Sequence, residues 1–149
     1  MAQGVSAESA GVFDGSTLPA AKADGRVIGG RVRSYLATFD MASAAVKKAA
    51  GDTNVCFQLP AGCKPVLGYL LSSATMGGTA TIAVGTAAAA GKYRAAAVHT
   101  TANAPQFFML SSALDDAPLS ETETVLITIA ADALPGAGIL QVVIFASAR

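Results

Sequence analysis

The sequence predicts an all-β fold: a single antiparallel β-sandwich or jelly-roll-like domain of about eight strands behind an extended N-terminal arm. Three observations predict it. Short runs rich in Val, Ile, Leu, Thr and aromatics follow one another from Arg26 onward, divided by Gly, Pro, Asn and Asp. No segment sustains a helical period. The length of 149 residues suits one domain, and about 68–70% of the unfolded surface of such a chain can be buried.

The arm is residues 1–25 and the sandwich domain residues 26–149. Gly, Ser, Ala and Asp dominate the first segment, Pro19 interrupts it, and Val5, Val12, Phe13 and Leu18 show no period, so an extended strap is expected. Arg26 to Asp40 carries Val27, Ile28, Val32, Tyr35, Leu36 and Phe39, with Gly29-Gly30 allowing a bend or bulge. Met41 to Ala50, rich in Ala and Lys, is expected to form one or two helical turns before Gly51-Asp52.

Thr53 to Leu59 alternates, which places Val55, Phe57 and Leu59 on one face and Asn54, Cys56 and Gln58 on the other. Leu59-Pro60-Ala61-Gly62 predicts a hairpin leading into Lys64 to Ala74, a strand with apolar residues on both faces. Thr79 to Gly85 alternates again. Tyr93 to Thr100 and Gln106 to Leu110 are weaker strands, interrupted by Asn103 and Pro105. Thr122 to Ala131 and Ile139 to Ser147 are the strongest pair, joined by a turn through Pro135-Gly136.

Ten Lys and Arg balance ten Asp and Glu, and charged residues form only 13% of the chain. A neutral chain lacks the basic face that neutralises phosphates, so no nucleic-acid partner is expected. The 52% hydrophobic fraction, much of it alanine, argues against disorder, and a surface so poor in charge suits burial against other chains. No basic and apolar leader is visible at Met1 to Glu8. The uncharged run Pro65 to Gly91 holds Ser72-Ser73, Gly77-Gly78 and strand-like alternation, which excludes a membrane-spanning helix.

Residues that carry chemistry are sparse. Cys56 and Cys63 could be bridged, but two reduced thiols are the favoured reading, and one His with two Cys cannot close a zinc site. His99 lacks a nucleophile elbow and reads as a surface or turn histidine. Gly85 to Tyr93 departs from a phosphate loop twice: five residues separate its glycines, and Tyr93 stands where Ser or Thr would hold magnesium. Asp115-Asp116 with Glu121 and Glu123 read as a solvated loop followed by a charge-protected edge strand. No catalytic, metal or cofactor site is expected, and therefore no enzyme. Residues 1–64 hold seven basic and five acidic groups, net +2, and residues 65–149 hold three and five, net −2. Arg31 and Arg33 share one side of a strand. With Arg26, Phe13 and Leu18, they are the expected contacts to partners.

Three segments, Asp24-Gly25-Arg26-Val27-Ile28-Gly29-Gly30-Arg31-Val32-Arg33, Gly77-Gly78-Thr79-Ala80-Thr81-Ile82-Ala83-Val84-Gly85 and Gly91-Lys92-Tyr93-Arg94-Ala95-Ala96, carry a resemblance. Over about Lys22 to Phe145 the chain resembles the head decoration, or capsid cement, proteins of tailed bacteriophages. The resemblance implies a virion structural protein made in the host cytoplasm. It implies a β-rich module, commonly a homotrimer and sometimes a dimer, that binds the outer capsid surface across joints between major capsid proteins. It supplies no catalytic residues. The alternative is a phage tail or head-fibre module that contacts the host surface.

Overall fold

The computed structural model describes residues 31–109 and 117–148 of the chain. Eight strands follow in order: β1 Arg31–Asp40, β2 Thr53–Leu59, β3 Lys64–Ser72, β4 Thr81–Gly85, β5 Arg94–Val98, β6 Gln106–Phe108, β7 Glu123–Ala130 and β8 Ile139–Ala148. They form two four-stranded antiparallel sheets, ordered β1-β8-β3-β6 and β2-β7-β4-β5. The strand pairs β1·β8, β3·β6, β2·β7 and β4·β5 are nested one inside the next, as if one long hairpin had been folded over. That order is a jelly roll, the all-β sandwich expected from the short alternating runs.

The core lies between the sheets. The first sheet contributes Ala37, Phe39, Leu70, Phe108, Leu140, Val142 and Ile144, and the second contributes Leu59, Ile82, Val84, Val125, Ile127 and Ile129. Alternation explains the choice, since every second residue of β7 and β8 turns inward. Gly68 is required where it stands: a Cβ there would overlap the Phe108 ring and come within 2.9 Å of the Val143 carbonyl oxygen. The ring therefore occupies the space that a side chain would fill.

Four local expectations are corrected. Met41 to Ala50 forms turns and no helix. Asn54 explains this, because its side chain accepts from the Lys47 N–H at 2.9 Å and donates to the Lys47 carbonyl at 2.8 Å. Lys48 Nζ donates to the Met41 carbonyl at 2.9 Å, so the segment is tied down as a crossover between sheets.

β2 is out of phase with simple alternation, since a bulge between Val55 and Phe57 reverses the faces. Asn54 is consequently buried and Val55 is 63% exposed. The turn at Pro60 makes no hairpin, because β2 and β3 belong to different sheets. Finally, the strand after the acidic loop is no edge strand: β7 lies between β2 and β4.

Candidate functional site

The register of the first sheet fixes what faces away from the core. Odd-numbered β8 residues pair with even-numbered β1 residues, Leu36 with Val143 and Ser34 with Phe145, while Tyr69 and Leu67 of β3 flank the same two positions from the other side. Phe107 of β6 lies beyond Tyr69. Leu36, Val143, Phe145, Leu67, Tyr69 and Phe107 thus form one outward plane. Tyr69 meets Phe107 edge-on at 6.0 Å between centroids and Phe145 at 6.2 Å.

Leu36 is 56% exposed and Phe107 62%, whereas Val143 is only 3% exposed. Between the Val32 row and the Thr38 row the plane carries no charged side chain. The register puts Lys64 at one end, across from Ser147, and Asp40 at the other, across from Ile139.

The second sheet turns a different surface outward: Thr53, Val55, Thr124, Leu126, Thr128, Ala130, Thr81, Ala83 and Val98. Threonine and alanine predominate there. The two sheets are alike inside and unlike outside.

A buried polar knot pins the open side of the sandwich where the edge strands β5 and β6 meet. Arg94 is 5% exposed. Its guanidinium donates to the carbonyls of Ile82, of Ala97 at 3.0 Å and of Val98 at 3.2 Å, and to Gln106 Oε1 at 2.7 Å. Burial lowers its pKa by desolvating the cation.

His99 is 2% exposed, so the expected surface histidine is instead a core residue. Its Nδ1 lies 3.1 Å from Gln106 Oε1, which can only accept, so Nδ1 carries the proton. Its Nε2 is buried with no hydrogen-bond partner among the described residues. A cavity of about 230 Å³ opens beside it, lined by His99, Thr100, Thr101 and Gln106 among others.

On another side, Glu123 accepts from Lys92 Nζ at 2.6 Å and from the Tyr93 hydroxyl. The loop that fails as a phosphate cradle is therefore closed down onto β7. Gly85 itself is packed against the backbone of Ala89 and Ala90, leaving no room for a side chain at that position.

Of the residues expected to meet partners, Arg31 and Arg33 are exposed on β1, on the side shared with Tyr35, Ala37 and Phe39. They therefore lie off the apolar plane. Phe13, Leu18 and Arg26 fall outside the described residues, as do Asp115 and Asp116.

Both cysteines are free. Burial pushes the Cys56 thiol up to about 12 and raises that of Cys63 as well, so neither is an activated nucleophile. Among the described residues no group of three or more His, Cys, Asp or Glu could hold a metal, and no helix is long and apolar enough to cross a membrane.

The fold and its surfaces define an eight-stranded jelly-roll sandwich that presents an apolar plane on its first sheet. The chain is similar in fold to a chain from the capsid of Ralstonia phage GP4, at 20% identity over 80% of this chain and 86% of that one, with a TM-score of 0.61. It is likewise similar to a chain from the capsid asymmetric unit of cyanophage Pam1, at 22% identity over 87% of this chain and 92% of that one, with a TM-score of 0.63. No family model and no curated protein matches the sequence. At these identities the likeness establishes the shared sandwich.

Proposed function

We propose that the protein is a virion structural component of a tailed bacteriophage, one that binds the outer capsid surface and cements the shell. The observation that carries this reading is a fold shared along most of both chains with two components of phage capsids. Its low charge and its uncharged outward plane fit static contacts repeated around a shell. The partners are the major capsid protein and further copies of the chain itself, as a trimer or a dimer. Phe13, Leu18, Arg26, Arg31 and Arg33 contribute to those contacts, the first two through the arm.

The mechanism is linkage. A protein that binds the assembled shell and not its separated subunits stabilises the shell by the free energy of that binding. It thereby shifts the population toward the closed, DNA-retaining particle.

The experiment compares purified particles with and without the protein. Particles lacking it release DNA at a lower temperature, and adding it back restores the wild-type value. Equal release temperatures overturn the cementing role. On the same particles the protein is stoichiometric with shell subunits; stoichiometry with the tail instead identifies the fibre alternative. The combined Phe13→Ala and Leu18→Ala variant, and separately the Arg31→Ala and Arg33→Ala variant, should bind particles more weakly while melting like the wild type.

A further inference from the structure

The outward plane of the first sheet is large, aromatic and open. β1, β8 and β3 run side by side for about 27 Å and β6 adds a short row of about 10 Å, a footprint of roughly 440 Å² against the roughly 800 Å² that each partner of a stable pair buries. The plane thus supplies just over half of one partner's share of an interface, and the rim at its ends supplies the remainder.

We infer that the outer face of β1-β8-β3-β6 is the surface through which two copies of this chain pair, face to face about a twofold axis. Three observations favour a second copy as the occupant. First, between the Val32 and Thr38 rows the face has no charge, so identical faces meet without like-charge repulsion. Second, the charges at its ends are opposite, Lys64 at one and Asp40 at the other. A twofold axis lying in the interface and across the strands sets the cationic end of each copy against the anionic end of its partner. Third, Leu36 at 56% and Phe107 at 62% exposure stand out from the face, while Val143, Tyr69 and Phe145 form the floor between them. Such relief lets two identical sheets interdigitate at the spacing of a sandwich core.

The pairing is isologous, so it selects the dimer over the trimer. It does not depend on the phage reading and is tested without particles. The molar mass of the full-length protein in solution is measured by light scattering across the micromolar range, for the wild type and for a Leu36→Glu, Phe107→Glu double variant. Both positions are exposed, so the variant keeps its fold, and its thermal melt confirms this.

The wild type should have the mass of two chains and the variant the mass of one. A second pair of variants reads the charged ends. Lys64→Glu should weaken the dimer at least tenfold, and adding Asp40→Lys to it should recover the loss. A wild type with the mass of one chain, as when the chain's own arm covers the face, overturns the inference. So does a wild type with the mass of three, or an acidic double variant that remains paired. Loss by Lys64→Glu without recovery by Asp40→Lys overturns the twofold arrangement.

Discussion

The two sheets bury comparable inner faces and expose opposed outer ones. Inside, both present apolar residues on alternate positions, mostly Leu, Ile and Val, with Ala37, Phe39 and Phe108 in the first sheet. Outside, β2-β7-β4-β5 shows mainly threonine and alanine with the aliphatic Val55, Leu126 and Val98 and no aromatic ring, whereas β1-β8-β3-β6 shows Leu36, Leu67, Tyr69, Phe107 and Phe145. A one-sided sheet is complete once the sandwich closes. A sheet apolar on both faces is still short of one contact, and this difference separates the fold from its use.

The comparison can be tested by substitution on each face in turn. The largest losses come from the shared interior. Leu70→Ala in the first sheet and Ile127→Ala in the second should each cost about 2–5 kcal/mol in denaturant melts, because both side chains are fully buried. A marked inequality between them would break the claimed equivalence of the inner faces.

Next comes the pin between the sheets. Arg94→Ala leaves the carbonyls of Ile82, Ala97 and Val98 and the Gln106 oxygen short of a donor, and should cost about 3 kcal/mol.

Smaller effects separate the outer faces. Thr128→Lys in the second sheet should change stability by less than about 0.5 kcal/mol and leave molar mass unaltered, as surface substitutions usually do. Leu36→Lys should leave the melt of the separated chain similarly unchanged but abolish pairing.

A pH dependence at Cys56 is silent at neutral pH and enters only in alkaline solution. Its thiol titrates near the ordinary value of 9.0 when unfolded and at about 12 in the fold, so the native state holds the proton longer. The contribution is complete below pH 9.0 and is lost as pH rises toward 12. Cys56→Ala should flatten the stability profile over that interval, read by chemical melts at several pH values.

Much of the architecture was legible in the sequence. The alternating runs at Thr122 to Ala131 and Ile139 to Ser147 are central strands, and the weaker runs at Tyr93 and Gln106 are the short edge strands β5 and β6. Phase was harder to read. The bulge at Cys56 reverses β2 by one residue, and no composition signal marks such an insertion, because it depends on the partner β7.

The apolar plane did leave a trace, in the two-sided character of Lys64 to Ala74. Periodicity alone cannot say whether the second apolar face meets a helix, a sheet or another molecule. The knot of Arg94, Gln106 and His99 left none. Two polar residues twelve positions apart become partners only once β5 and β6 close the same side of the sandwich. Glu123 looked like solvated charge because its partners, Lys92 and Tyr93, come from a different hairpin.

The nested strand order has a consequence for synthesis. β8 separates β1 from β3, and β7 separates β2 from β4, so neither sheet can zip up from the strands made first. The ribosome must deliver the C-terminal third before β1, β2 and β3 find their neighbours, and every ladder except β4·β5 closes a long stretch of chain. Nascent β1 and β3 therefore emerge with open edges. A chain whose translation stalls before β8 offers those edges to any neighbour, which makes early termination a route to aggregates rather than to a smaller domain.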